Sequence, residues 1–499
     1  MVASLNMVSG AQDGETATAG GGGHDFDLVV IGGGPAGEKG AAQAAYFGKR
    51  VAIVEARHVG GAVVHTGTLP SKTLRETAIY LSGMRARGLY GVDYSFGREI
   101  TVEDLFFRQR LIERSYLSLV EDNIARHRIS MIMGTASLMD AHRVRVQRED
   151  ATDVELRGEH ILIATGSRPA RPADVPFDDE FVYDSDSVLG LSRMPSSLII
   201  AGAGVIGSEY ATLFAALGVV VTLLDGGDRL LPFLDDEIRE ILCAQMTEAG
   251  IDLRFGVRTN AISVDRAKGC VRVQTHDGAT LEADALLYCV GRQGNTDGLG
   301  LERIGVAPDA RGRITVDDDF RTAAPSVMAA GDVIGFPALA STSMEQARVA
   351  VCHAFGFEYK RQVSALIPYG LYTLPEVSMV GESEDSLRAS GTSYLAGRVR
   401  YHTNARAQIV GDDTGLLKLL FAPDDRRLLG VHIIGERATE LIHVGQMCMQ
   451  FGGTIDAFID NVFNFPTISE AYKYAAYDGL QAIERAAGHA REAPRTLPA

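Results

Sequence analysis

No two of the five cysteines lie close enough in sequence to act as a pair. Cys243, Cys270, Cys289, Cys352 and Cys448 form neither CxxC nor CxxxxC, so the chain offers neither a local redox dithiol nor a zinc-ligand spacing. Most are expected to be buried thiols that pack as small apolar groups, in a reducing, cytoplasmic setting. No HExxH or Cys/His cluster occurs, and no metal is expected. An excess of positive charge is also missing. The 48 basic and 64 acidic side chains leave a net charge of −16, which argues against a nucleic-acid partner and speaks to solubility. No apolar run reaches the roughly 18–20 residues that span a bilayer, so no membrane partner is expected. Residues 1–24 lack the basic start and apolar stretch of a secretory signal. They are rich in Gly, Ser, Ala and Thr and are expected to form a disordered tail.

What the chain does contain is an internal repeat. At 499 residues it is too long for one ordinary core, and several domains are expected. Asp27 to Glu55 reads DLVVIGGGPAGEKGAAQAAYFGKRVAIVE, and Ser197 to Asp225 reads SLIIAGAGVIGSEYATLFAALGVVVTLLD. Each opens with an apolar strand and turns through glycines. A helix with small residues on its packing face follows, then a second apolar strand closed by an acid. This is the pattern of a βαβ unit. Between the two, residues 129–157 alternate polar and apolar side chains and predict small antiparallel strands. From about Ile367 the pattern changes to strands and then helices, which predicts a separate α+β unit. The fold class is α/β, with two Rossmann-like dinucleotide-binding units and a C-terminal α+β unit.

The first glycine run is Gly32-Gly33-Gly34-Pro35-Ala36-Gly37. In such a fingerprint the first glycine permits the tight turn, the second lets the backbone approach a pyrophosphate, and the third lets helix and strand pack closely. The helix N-terminus then presents free N–H groups to phosphate, and Glu55 is placed for a ribose hydroxyl. The alternative is a glycine-rich turn in an α/β unit that binds no nucleotide. The second run is Gly202-Ala203-Gly204-Val205-Ile206-Gly207, with Asp225 as its acid. An acid here favours the unphosphorylated ribose of NAD, whereas the 2′-phosphate of NADP calls for arginine. Arg229 is a candidate for that phosphate or a plain surface arginine.

Together with Ala164-Thr165-Gly166 and Gly331-Asp332, the two fingerprints resemble the flavoprotein pyridine nucleotide–disulfide oxidoreductases over residues 26–485. The resemblance implies FAD at the first fingerprint, NAD(P) at the second and a C-terminal unit that forms a homodimer. The residues implied for FAD are Gly32, Gly34, Pro35, Ala36, Gly37, Glu55, Gly61, Lys72, Thr165, Gly166, Gly331, Asp332 and Ala340. Those implied for NAD(P) are Gly202, Gly204, Val205, Ile206, Gly207, Glu209, Asp225, Arg229 and Gly291. The implied boundaries are residues 25–166 and 292–360 for the FAD unit, 167–291 for the NAD(P) unit, 361–486 for dimerisation and 487–499 for a frayed tail.

Two departures decide the chemistry. Disulfide reductases of the family carry Cys-x4-Cys in the segment that here reads Gly60 to Lys72, GGAVVHTGTLPSK, where Val63 and Thr68 stand instead. Without two thiols no electron pair reaches a disulfide substrate. The same enzymes carry an acid–base histidine before the proline of Asn464-Phe-Pro-Thr-Ile-Ser-Glu470. Here that place is Phe465, which carries no proton. Hydride exchange between nicotinamide and flavin needs neither group. The segments His65 to Lys72, Asn404 to Gly411 and Asn464 to Tyr472 resemble the soluble pyridine nucleotide transhydrogenase branch, although Val63, Gly226 and Gly227 depart from it.

The reaction this implies is transfer of hydride from NADPH to NAD through FAD, with Lys72 and Glu209 as the central pair. Thr68 and His65 are further candidates, each with an equally good packing or structural reading. One alternative is an NADH-preferring flavin reductase, or diaphorase, acting on a quinone or another small acceptor. Another is a non-catalytic redox sensor that binds FAD and nucleotide. Tyr472 and Tyr474 are expected at an interface, and His443 in a core.

Overall fold

Strand β1 (Phe26–Ile31) is apolar along its length and its last four residues are buried, as a strand covered on both faces must be. Residues 24–83 and 100–488 are the ones described by this computed structural model; the expectations for the two chain ends lie almost entirely outside them. From β1 the chain passes through Gly32–Gly34 into α1 (Pro35–Tyr46). Pro35 takes the first helical position, where its missing N–H costs nothing. Strand β2 (Val51–Glu55) returns parallel to β1. Helices α2 (Gly61–His65), α3 (Thr68–Ser82) and α4 (Val102–Arg126) follow, the last opened by a reciprocal Thr101–Asp104 capping box.

Strand β3 (Ser130–Met133) adds parallel to β2. Then β4 (Thr135–Leu138), β5 (Arg143–Gln147) and the first part of β6 (Asp153–Ile163) form the antiparallel meander that the alternating pattern predicted. From Gly158 onward β6 runs parallel to β1.

A short strand, β7 (Ser167–Pro169), leads to the second unit. Strands β8 (Val182–Asp184), β9 (Ser197–Ala201) and β10 (Val220–Leu224) and helices α5 (Val205–Ala216) and α6 (Asp236–Glu248) precede β11 (Asp252–Arg254). The meander β12 (Thr259–Asp265), β13 (Cys270–Thr275) and β14 (Thr280–Ala283) comes next. Strand β15 (Ala285–Tyr288) then completes a parallel sheet in the order β11-β10-β9-β15-β8. Strand β16 (Arg292–Gly294) pairs with β7, so the chain leaves the second unit beside the point where it entered. It then returns to the first sheet. Strand β17 (Val327–Ala329) lies beside β6, and α7 (Ala340–Phe355) packs on α1.

The C-terminal unit is an antiparallel sheet in the order β18-β19-β22-β21-β20, from β18 (Tyr369–Leu371), β19 (Val377–Gly381), β20 (Leu395–Arg400), β21 (Leu416–Phe421) and β22 (Leu428–Ile434). Helices α8 (Glu384–Ser390), α9 (Ala405–Val410), α10 (Ala438–Gln450), α11 (Asp456–Asp460) and α12 (Ala471–Ala486) complete it. Successive strand residues face opposite ways. Leu417, Leu419, Val431 and Ile433 pack with α10 and α12. Leu416 and Ile434 instead join the core of the second unit.

Three expectations change here. Tyr472, Ala475 and Ala476 share the inward face of α12 and are buried in the C-terminal core, so of the tyrosines on that helix only Tyr474 and Tyr477 are exposed. His443 is exposed and bonds Gln446. Only Cys352 is fully buried; the other four cysteines are half-buried, and none is disulfide-bonded. Among the described residues no helix is long and apolar enough to cross a membrane.

Candidate active site

The two glycine loops fold alike to within a few degrees. Gly32 has φ +106° and Gly202 φ +103°, a region that L side chains rarely adopt. A Cβ on Gly37 would lie 1.9 Å from the Gly32 carbonyl oxygen, and one on Gly207 would lie 1.9 Å from that of Gly202. Both third glycines are therefore obligatory. Gly34 and Gly204 cap their helices with ψ −173° and −174°. A Cβ on Gly204 would meet nothing within 4 Å, and one on Gly34 only Gly61 Cα at 3.8 Å, so both loop mouths lie open beside free helix N–H groups.

Each acid closes its own loop. Gly33 N–H donates to Glu55 Oε2 (2.7 Å) and Arg57 N–H to Glu55 Oε1 (2.7 Å). Ala203 N–H donates to Asp225 Oδ2 (2.6 Å) and Gly227 N–H to Asp225 Oδ1 (2.7 Å).

The units meet where α3 packs on α5. Lys72 Nζ donates to Glu209 Oε2 at 2.6 Å and to Ser71 Oγ at 3.3 Å. An ammonium has three N–H donors, so one remains for a ligand. The side chains of Lys72 and Glu209 are 26% and 10% exposed, which is accessible yet poorly screened. The C-terminal unit supplies the third member. Tyr372 N–H donates to Glu209 Oε1 (2.9 Å), and the Tyr372 ring lies 4.8 Å below the Lys72 ammonium. Burial raises the Tyr372 phenol against the pull of its bond to Thr439, and nearby Glu376 and Glu209 add to the rise. The ring thus stays neutral beneath the cation. Arg75, on the next turn of α3, donates to Thr373 O (3.3 Å) and pairs with Glu376 (3.2 Å). Leu374 N–H reaches Thr212 Oγ1 on α5 (3.2 Å).

The other candidates are placed differently. Val63 lies within α2 and is half-buried, whereas Thr68 is exposed at the first position of α3. His65 turns away from the pair: Nε2 bonds Val59 O and Nδ1 bonds Glu113 Oε1, both at 2.8 Å. Both ring nitrogens are used, the arrangement of a structural histidine. Arg229 does not touch Asp225; its nearest acids are Asp236 at 3.8 Å and Asp228 at 4.0 Å. Gly291 has φ +89°, and its carbonyl accepts from Ala170 N–H. Phe465 is exposed, and Glu470 sits in the turn before α12. Cys289 lies beside Gly202. Burial, aided by Asp184, pushes its thiol well above the usual cysteine range, so it is not a thiolate nucleophile. Among the described residues no three or more His, Cys, Asp or Glu side chains could hold a metal ion.

The remaining first-unit residues line the ends of β6 and β17. Thr165 Oγ1 is buried without a hydrogen-bond partner among the described residues, as is Thr342 Oγ1 two positions after Ala340 at the start of α7. Buried hydroxyls normally have partners, so two orphans beside a glycine-rich phosphate loop fit a bound dinucleotide. Gly166 has φ +68° and accepts from Asn295 N–H, while Asn295 Nδ2 donates to Thr165 O (2.9 Å). Ser167 Oγ donates to Asp332 Oδ2 (2.8 Å), and Gly331 N–H to Gln346 Oε1 (2.9 Å). Sequence reasoning missed Thr342, Gln346, Asn295, Ser167 and Tyr372. Ser167 directly follows the Ala164-Thr165-Gly166 run, but Tyr372 carries no local signal.

The family model described as pyridine nucleotide-disulphide oxidoreductase matches residues 26–354, and that of its dimerisation domain matches residues 367–476. The soluble pyridine nucleotide transhydrogenase of Mycobacterium tuberculosis is 46% identical over 458 residues, 91% of this chain and 97% of the relative. That of Chromohalobacter salexigens is 42% identical over 470 residues, 92% and 99% of the two chains. Among solved structures, LpdA from Mycobacterium tuberculosis superposes with a TM-score of 0.84 at 27% identity, covering 90% of this chain and 99% of that one. The HOCl-induced flavoprotein disulfide reductase RclA from Escherichia coli gives 0.80 at 29% identity, covering 90% and 98%.

Proposed function

This chain belongs to the pyridine nucleotide-disulphide oxidoreductase family, and from that premise we propose that it transfers hydride between NADPH and NAD as a soluble transhydrogenase. It is an FAD-dependent oxidoreductase of nicotinamide nucleotides. Bound FAD supplies a two-electron carrier that serves both nucleotides. One observation carries the finer reading. The two units that carry the like-folded dinucleotide loops meet at Lys72, Glu209 and Tyr372, while Val63, Thr68 and Phe465 stand where a thiol relay and its proton carrier would be.

The residues divide the work. The Gly32–Gly37 loop and the N-terminus of α1 hold one pyrophosphate, with Glu55 at a ribose; Gly202–Gly207 and α5 hold the other, with Asp225 in the matching role. Thr165, Gly166, Gly331, Asp332 and Ala340 line the FAD side, and Gly61 lets the chain pass close to Gly34. Lys72 offers a fixed positive charge to the negative charge that develops in the cleft during electron-pair transfer. Glu209 and Tyr372 hold that ammonium still. No side chain at the pair has to move a proton for the transfer to complete. One cleft serves both nucleotides in turn, so the kinetics are ping-pong. The working form is a cytoplasmic homodimer built through the C-terminal unit.

The test is anaerobic. NADPH should bleach the flavin absorbance of the holoenzyme, and NAD added next should restore it. Failure of NAD to restore the spectrum sinks this reading. The engagement of Asp225 with its own loop favours a second one, an NADH-preferring reductase of small acceptors. It predicts bleaching by NADH and little by NADPH.

A further inference from the structure

Asp225 is followed by Gly226 and Gly227, so the strand that ends in the ribose acid carries no cation of its own. A cation arrives from the segment between β11 and β12. Residues 254–258 run beside the acid loop through main-chain bonds: Asp225 N–H to Arg254 O (3.0 Å), Gly256 N–H to Gly227 O (2.6 Å) and Val257 N–H to Asp225 O (2.9 Å). Arg258 is fixed next in line. Its N–H donates to His276 Nδ1 (3.2 Å), and its carbonyl accepts from His276 N–H (3.0 Å).

From there the Arg258 side chain lies across Gly226. A Cβ on Gly226 would come within 3.0 Å of Arg258 Cγ and 3.5 Å of its Nε. The glycine therefore makes the room that the arginine stem occupies. Arg258 is exposed, and among the described residues its guanidinium has no acidic or hydrogen-bonding partner. Arg229 lies four residues past Asp225, held only loosely by Asp236 and Asp228 at 3.8 and 4.0 Å.

We infer that Arg258 is the 2′-phosphate anchor of the second nucleotide site, with Arg229 as its outer partner. The inference rests on the reading that this cleft takes NADPH as well as NAD. Asp225 reads the free ribose hydroxyls of NAD. A phosphate on the 2′-oxygen would be repelled by that carboxylate unless a cation stood beside it. A guanidinium meets phosphate oxygens through two parallel N–H donors. An arginine reaching over Gly226 lets one loop accept both nucleotides, which a transhydrogenase requires and a single-nucleotide enzyme does not. The glycines after Asp225 are then part of the NADP site and not a sign that it is missing.

The test uses the FAD-loaded full chain and two probes, 2′,5′-ADP and 5′-AMP, with affinity read by calorimetry. Arg258→Ala should weaken 2′,5′-ADP roughly tenfold or more, the cost of one charge-assisted contact, and leave 5′-AMP within about twofold. Arg258→Lys should recover part of the loss, and the wild-type preference should fall as salt rises. Gly226→Val, which crowds the arginine stem without removing charge, should show the same selective loss. Equal weakening of both probes, or of neither, overturns the inference. Anaerobic bleaching of the wild-type flavin by NADPH is read alongside. If NADPH bleaches the flavin yet Arg258→Ala spares 2′,5′-ADP, the anchor is wrong and the transhydrogenase reading stands. If NADPH does not bleach it, that reading fails whatever the probes show.

Discussion

Lys72 has a carboxylate on one side, a neutral aromatic face below and a hydroxyl beside it. These contacts fix its position. In a partly buried cleft such a charge acts strongly on any charge that forms near it. Lys72→Met should therefore keep FAD bound and the fold intact while slowing flavin reduction on the order of a hundredfold, the scale of losing one preorganised stabilising donor. It should also lower the flavin midpoint potential, because the reduced form loses its counter-charge. Stopped-flow reduction and spectroelectrochemistry read the two effects. An unchanged potential would place Lys72 outside the electron-transfer step. At this scale the sequence revealed identities better than surroundings. Lys72 and Glu209 are 137 residues apart, and only the family resemblance joined them. For His65 a structural reading stood as well as a site role, and the bond to Glu113 that decides between them depends on α4, which no local pattern places. Tyr372 reaches Glu209 through its backbone N–H, a contact that no side-chain motif encodes.

Among the elements, α6 and the C-terminal sheet are tied by a buried charge cluster. Lys418 on β21 is 1% exposed and pairs with Asp235 (2.8 Å) and Glu384 (2.6 Å). Asp235 also caps α6 by accepting from Glu237 N–H (3.1 Å), and Arg398 bridges Glu237 and Glu384. Removing one partner of such a cluster strands the others, at a cost of about 3–5 kcal/mol. Lys418→Met should lose stability on that scale in denaturant unfolding at neutral pH. The acid limb follows from Glu384. Burial alone would raise its carboxyl, but the hydrogen bond and charge of Lys418, with help from Tyr394 and Arg388, bring it down to about 2. A depressed carboxyl contributes stability that is fully present above its unfolded value of about 4.3 and is lost as pH falls through the folded one. Glu384→Gln should flatten the loss of stability between about pH 4.3 and 2; a wild-type slope in the variant would remove Glu384 from the cluster. The strands that carry the glycine loops and the β4–β6 meander were legible, because buried strands and tight turns are written in neighbouring residues. The pairing of β7 with β16 and the role of Lys418 were not, and the return of residues 292–360 to the first unit came from the family resemblance alone. In the run TGLLKLLFA a lysine on the α6-facing side of the strand reads like any solvated charge, and the distant carboxylates that hold it decide otherwise.

At the level of the whole molecule, two facts pull in opposite directions. A net charge of −16 keeps chains apart by mutual repulsion, yet the C-terminal unit leaves large apolar side chains uncovered. Val462 is 95% exposed, Phe451 80% and Phe465 72%, with Met447, Tyr474 and Tyr477 at least two-fifths exposed. A single soluble chain rarely presents so many without a partner. These residues belong to the last part of the chain, where the dimerisation-domain match lies, and a second copy of the same surface is the simplest cover. In a twofold interface each side chain is buried twice, and burying one valine or phenylalanine contributes about 1.5–3 kcal/mol. Phe451→Asp combined with Val462→Asp replaces that gain with unpaired charges on a surface that already carries net negative charge. Light scattering at micromolar concentration should show the wild type at twice the mass of one chain and the double variant at one, with a lower melting temperature. A variant that stays dimeric at wild-type stability would move the interface elsewhere on the C-terminal unit.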